Sequence, residues 1–206
     1  QIDAEKVIAL KPDLVILNKG MNEKLIDTLN ANYIKTLVLD MKSYEDVKRE
    51  IGIFAALTGE TAKGEQLTAK MDADIDAVRT SIPQEKKRVA IIHSTGQGLS
   101  VQLNGSIAGS IAVMLGWENT AAGMPALDKN PDAAPYSMDI IFVTSMGEEA
   151  EIRASMEAMF AESPAWQSVG AIRDGRVYYL PQELFLFSPG IEYPKAVQYM
   201  ARLVYP

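Results

Sequence analysis

The 206-residue chain has no cysteine and a single histidine, and its 20 basic residues are outnumbered by 27 acidic ones. Each shortage removes a class of function. Without cysteine there are no disulfides, thiolate metal sites or cysteine nucleophiles, although the compartment stays open. One histidine argues against a bare zinc or manganese site, which needs several nitrogen or sulfur ligands. It also leaves one side chain to act as a base near neutral pH. The net charge of −7 argues against nucleic acid, whose phosphates need a basic face. No apolar run is long enough to span a membrane, and no signal peptide is recognisable. The chain opens at Gln1-Ile2-Asp3, already inside an amphipathic pattern. The targeting segment of an exported protein is therefore expected to have been removed. Neither a Gly-x-Ser-x-Gly elbow nor a His-Glu-x-x-His helix occurs. Gly96-Gln97-Gly98 lacks both the third glycine of a dinucleotide fingerprint and the lysine of a phosphate loop, which disfavours a Rossmann-like nucleotide enzyme.

What the chain does have is a pattern used twice. Glu5–Asp13 runs into Leu14-Val15-Ile16-Leu17 and then Asn18-Lys19-Gly20-Met21; later, Asp139 runs into Ile140-Ile141-Phe142-Val143 and then Thr144-Ser145-Met146-Gly147. A short continuous apolar run reads as a strand buried on both faces of a helix-covered parallel sheet. The polar tips fall at the carboxyl ends of such strands, where open α/β sheets hold ligands. Two tips imply two lobes with a cleft between them. At 48% hydrophobic and 23% charged residues, the chain can bury a core in either one large domain or two small lobes.

Strands alternate with helices along the whole length, which predicts a mostly parallel sheet. Helices are expected over 5–11 and 21–30, with a strand near 36–39. Ser43 with Asp46 forms a capping-box start to a helix carrying Val47, Ile51, Phe54 and Ala55, stopped by Gly59. Leu67, Met71, Ile75, Val78 and Ile82 mark one stripe of a long helix ending at Pro83. A strand over 89–92 leads into a loop from His93 to Asn104 and a helix over 106–115. The strand at 140–143 precedes a helix with Ile152, Met156 and Phe160 inward. Ser163-Pro164 opens a short helix, Asp174-Gly175 turns into a strand over 176–180, and Ser188-Pro189 starts a last helix with Tyr193, Val197, Met200 and Val204 on one face. The resulting division is a partial first lobe over 1–59, a connecting helix over 60–82 and a second lobe over 83–206.

Glu5–Ile16, Gly98–Asn119, Asp139–Gly147, the Trp166–Pro181 stretch with Asp174-Gly175-Arg176-Val177-Tyr178, and Ser188-Pro189-Gly190 leading to Tyr205-Pro206 stand in one order along the chain. Together they resemble the substrate-binding proteins of bacterial ABC importers, in the class that carries iron–siderophore complexes, haem and cobalamin. The resemblance implies two Rossmann-like α/β lobes joined by one long helix. Two departures stand out. Strands and a helix that open the family's first lobe are absent before Ile2. In addition, setting Ile2-Asp3-Ala4 against Tyr136-Ser137-Met138 and Asp13 against Asp139 leaves the helix Glu5–Pro12 without a counterpart in the second copy. The first lobe is expected to be incomplete, with a sheet edge covered by another chain, such as a second copy.

The resemblance further implies a non-enzymatic, extracytoplasmic lipoprotein without a resident cofactor, which delivers an iron chelate to a membrane permease. A siderophore leads, and haem or cobalamin follow. The ligand candidates are Asn18, Lys19 and Met21 in the first lobe and Thr144, Ser145 and Met146 in the second. To these are added His93, Ser94 and Thr95 after the 89–92 strand, and Tyr136, Phe185 and Phe187 as aromatic walls. Each has an ordinary alternative: polar strand ends, a structural histidine, or core phenylalanines. His93 could ligate haem iron or donate to an anionic ligand. In the family a glutamate on each lobe meets permease arginines; Glu5 matches the first, and Asp139 stands nearest the second. The rival function is that of a degenerate or truncated relative that acts through protein–protein contacts and binds no ligand.

Overall fold

In the computed structural model, which describes residues 2–95, 98–123 and 138–206, the chain is a mixed α/β protein with two separate sheets. Asp3 caps the short helix α1 (Ala4–Ala9), its carboxylate accepting the backbone N–H groups of Glu5 and Lys6. Strand β1 (Leu14–Asn18) then pairs in parallel with β2 (Lys35–Leu39), with a 3₁₀ turn (Glu23–Leu25) and helix α2 (Ile26–Ala31) between them. Among the described residues this sheet has two strands, and its buried core is Leu17, Leu29 and Ile34.

Helix α3 (Tyr44–Thr58) begins with the expected capping box: the Ser43 hydroxyl accepts the Asp46 N–H, and the Asp46 carboxylate accepts the Ser43 N–H. It ends where Gly59 takes φ +74°, a left-handed conformation that closes the helix and that residues with a Cβ resist. The chain turns back as the long helix α4 (Thr61–Ser81). The two helices meet closely at Gly64, where an added Cβ would lie 2.6 Å from that of Ala55. Tyr44 and Val47 of α3 are buried not with β1 and β2 but in the large core of the second half, together with Met71, Ile75 and Val78 of α4. The packing thus changes before α3, whereas the sequence division falls after it.

The second sheet has five strands among the described residues. Its centre is β3 (Arg88–Thr95), which pairs antiparallel with β4 (Gly98–Val101). Helix α5 (Ile107–Met114), capped by Ser106, leads to the short β5 (Glu118–Asn119), parallel to the start of β3. Strand β6 (Ile140–Ser145) runs parallel to β3, and β7 (Val177–Tyr179) runs parallel to β6. Between β6 and β7 lie α6 (Glu149–Glu162), α7 (Pro164–Gln167) and α8 (Gly170–Arg173). A short α9 (Gln182–Phe185) and a 3₁₀ turn (Gly190–Glu192) precede the final helix α10 (Tyr193–Val204). Alternation along the strands splits the core between the sheet's two faces. Val89, Ile91, Ile140 and Phe142 meet α4, α5 and α10, while Ala90, Ile92, Ile141 and Val143 meet α6 and its neighbours.

Three local expectations need correction. Strand β3 does not stop at residue 92; its pairing with β4 and β6 carries it to Thr95, and residues 98–101 of the expected loop form β4, paired antiparallel with it. A short helix over 182–185 stands between the 176–180 strand and Ser188, where the sequence signals no helix. The first apolar run is not buried on both faces, for Ile16 is 46% exposed while Leu17 is 3% exposed.

Candidate functional site

The carboxyl ends of the parallel strands define the candidate site. In the first sheet, Lys19 N–H donates to the Leu39 carbonyl (2.8 Å), extending the β1–β2 pairing by one residue. The chain then turns, with the Met21 and Asn22 N–H groups donating to the Asn18 carbonyl at 3.2 and 3.1 Å. Met21 is 73% exposed, a large apolar side chain held at the tip by that turn. Lys19 and Lys42 both reach the Asp40 carboxylate, at 3.3 and 3.8 Å. Asp40 was not foreseen in the sequence; it follows β2 as Asn18 ends β1, and parallel pairing of the two strands is the signal that finds it.

In the second sheet, His93 stands opposite Thr144 and Ser94 opposite Ser145. These residues, expected at free strand tips, lie inside paired strands. Thr144 is fully buried, its hydroxyl 3.1 Å from His93 Nδ1 and donating to the Ile92 carbonyl at 3.4 Å. Ser94 is buried as well. Thr95 closes the β3–β4 hairpin, its hydroxyl donating to the Gly98 carbonyl at 3.0 Å. His93 and Ser145 are half-buried, and Met146 is exposed. Phe185 is core, its ring tilted against that of Tyr199 with centroids 6.1 Å apart, whereas Phe187 is half-exposed. Tyr136, and Gly96 and Gln97 of the glycine-bearing loop, lie outside the described residues.

Beyond β6 and β7 the surface dips into a cavity of about 290 Å³ lined by Ser145, Gly147, Glu148, Tyr179, Pro181 and Glu183, among others. Of these, only Ser145 was foreseen. Tyr179 ends β7 with its ring beneath the Arg153 guanidinium, 4.2 Å away. Burial pushes its phenol up, against the pull of Arg153.

The two expected docking carboxylates differ. Glu5 is exposed in the first turn of α1, where its charge also suits the helix dipole. Asp139 is half-buried and bonded within the molecule: its carboxylate accepts the Arg88 N–H at 2.8 Å and the Arg88 guanidinium at 3.1 Å. Burial opposes ionisation there, but the bonds to Arg88 outweigh it and hold the carboxyl below its ordinary range. Asp139 also precedes β6, at the end of the sheet away from the polar tips.

Comparison with known proteins adds the family. A family described as "Periplasmic binding protein" matches residues 1–184. The chain is 22% identical over 211 residues to the "Probable siderophore-binding lipoprotein YfiY" of Bacillus subtilis, covering 96% of this chain and 63% of that relative's length. Among solved structures, it is similar to an ABC transporter substrate-binding protein from Listeria monocytogenes, with TM-score 0.82, 23% identity, and 98% of this chain and 80% of the other covered. It is also similar to S. aureus IsdE complexed with heme, with TM-score 0.81, 17% identity, and 100% and 82% covered. These likenesses match the mixed α/β fold with parallel sheets.

Proposed function

The chain belongs to the periplasmic binding protein family, and we propose that it captures an iron chelate outside the cytoplasm and hands it to an ABC importer, with no catalytic step. What supports this reading is that polar and half-buried groups stand at the carboxyl ends of β1, β3 and β6, with a cavity beyond the ends of β6 and β7, in a chain of this family. In this reading residues 1–59 and 83–206 act as two lobes, with α3 of the first packed against the second, and 60–82 as the link that limits their closure. Asn18, Lys19, Met21, His93, Ser145 and Met146 line the cleft. A ferric siderophore leads, as in the name of the Bacillus relative, and haem or cobalamin follow. Anchoring at the membrane through a segment before Gln1 and docking to permease arginines through Glu5 belong to the same proposal.

The test is a titration of the full chain with a ferric trihydroxamate, ferric protoporphyrin and cobalamin, following the fluorescence of the buried Trp117 and Trp166. One of the three should quench saturably at micromolar concentration or below, and Lys19→Ala combined with Met146→Ala should weaken it at least tenfold. No saturable response to any of them would reject ligand capture. A second reading, a relative that works through protein contacts alone, is favoured by apolar side chains open to solvent in the first region: Ile16 on β1, Leu10 after α1 and Tyr33 after α2. A mass near twice 22.5 kDa by light scattering, together with no chelate response, would favour it.

A further inference from the structure

One edge of the larger sheet is open beside a groove that the strand-tip cluster does not use. Strand β7 ends that sheet and pairs only with β6 among the described residues. Two bonds fix the phase of the pairing: Ile141 N–H donates to the Arg176 carbonyl at 3.0 Å, and Leu180 N–H donates to the Val143 carbonyl at 2.8 Å. With Ile141 opposite Val177 and Val143 opposite Tyr179, the residues bonded to β6 are Arg176, Tyr178 and Leu180. Alternate residues of a strand turn their backbone groups the other way. The N–H and C=O of Val177 and Tyr179 therefore point off the sheet, and among the described residues no backbone bond engages them. Apart from its shortness, β7 has none of the devices that blunt an edge, for Val177-Tyr178-Tyr179 holds neither proline nor charge.

The side chains of the same two residues floor the groove. Val177 and Tyr179 line a cavity of about 390 Å³ with Arg153, Glu157, Phe160 and Ile172, among others. Its two ends differ. Arg153 lies over the Tyr179 ring at 4.2 Å and is bonded to Glu149 at 2.8 Å. At the start of β7, Arg176 N–H donates to the Ala171 carbonyl at 2.7 Å, which sets Ile172 beside Val177. Glu157 is exposed and makes no ion pair or side-chain hydrogen bond among the described residues. Arg153, Glu149 and Glu157 together leave one net negative charge at the Tyr179 end, next to an apolar wall at the Val177 end.

We propose that the β7 edge takes an extended segment of a partner protein as an added antiparallel strand, with a lysine or arginine directed to Glu157 and, two residues on, an apolar side chain against Phe160 and Ile172. The edge dictates the strand, because an extended backbone presents N–H and C=O groups at the spacing of Val177 and Tyr179. Residues directly opposite in an antiparallel pair point to the same face, so the two that bond this edge also face the groove. The period of a strand sets them two apart. Their order follows from the groove: the antiparallel segment meets the negative Tyr179 end first and the apolar Val177 end second. This surface lies apart from the chelate site and does not depend on it.

The test is an NMR titration of the ¹⁵N-labelled full chain, without chelate, with the peptide acetyl-Thr-Lys-Thr-Leu-Thr-amide. The amides of Val177 and Tyr179 should shift saturably and exchange more slowly. N-methylation of the peptide's Lys and Leu amides removes both donors to the edge and leaves the protein untouched; it should weaken binding about tenfold or more. Replacing the peptide's Lys by Glu should weaken binding about fivefold, and Glu157→Lys should reverse that preference. No saturable shift of these two amides at several millimolar peptide overturns the proposal. Equal binding of the N-methylated peptide overturns strand pairing, and an unchanged preference in Glu157→Lys overturns the basic partner. The same shifts on concentrating the protein alone, with a doubled mass by light scattering, would give the edge to a second copy and overturn the partner segment.

Discussion

The same motif, an aspartate followed by four apolar residues and a polar tip, has two fates in this molecule. In β6 the run Ile140–Val143 is buried on both faces, split between two cores. In β1 the run Leu14–Leu17 belongs to a two-stranded sheet, with Leu17 buried and Ile16 half-exposed. The motif sets strand formation, but the number of neighbours decides burial. β6 has β3 and β7 beside it and helices on both faces, whereas β1 has β2 alone among the described residues. A sheet of two strands is marginal unless something else packs on it. The first region should therefore open more readily than the second.

The sharpest way to break this contrast is to hollow each core in turn. Phe142 is fully buried and stacked with Trp117 at 5.9 Å. Phe142→Ala should cost about 3–5 kcal/mol and lower the urea midpoint of the whole chain. Leu29 is equally buried but in the small cluster, so Leu29→Ala should cost about 2–4 kcal/mol and open β1 and β2 ahead of the rest. Amide exchange that rises only over residues 2–40 would bear this out; a uniform rise across both sheets would tie the regions into one unit.

Two smaller effects probe α3, which packs with the larger core. Glu50 is 4% exposed, and its Oε1 has no partner. Burial, with Asp46 adding to it, pushes its carboxyl up against the pull of Arg49. The folded state therefore holds this proton more tightly than the unfolded chain does. Its stabilisation is present below the ordinary glutamate pKa of about 4.3 and is lost as pH rises through the raised value. Glu50→Gln should flatten that decline and leave the protein more stable at pH 7 by about 1–2 kcal/mol, measured by denaturant titration across pH 4–8. A variant less stable than the wild type at pH 7 would show that the charged form has a partner. Smallest is Ser43→Ala, which removes the hydroxyl half of the capping box and should cost about 1 kcal/mol in thermal or urea unfolding.

Where sequence and structure agree, the signals were local. The capping box at Ser43, the stop at Gly59 and the stripe on α4 follow from spacing and period, and the alternation of strands and helices from β3 to β7 gives the mostly parallel pairing. Where they part, the deciding interaction came from elsewhere in the chain. Residues 93–95 look like a loop because they are polar, yet β4 returns to pair with them. Thr144 looks like a polar tip, yet His93 and Ile92 satisfy its hydroxyl inside the sheet. Phe185 has no helical stripe to announce it as core; a four-residue helix places it there. Asp40, Tyr179 and Glu183 reach the strand ends through pairing and turns that a single sequence does not print.

In the proposed function the two strand-end clusters serve one ligand. Hydrogen exchange of the full chain, with and without the chelate that binds tightest, tests it directly. Amides at 18–22 and at 145–148 should gain protection together on binding. Protection confined to one cluster, or found only at the α4–α10 surface, would contradict it.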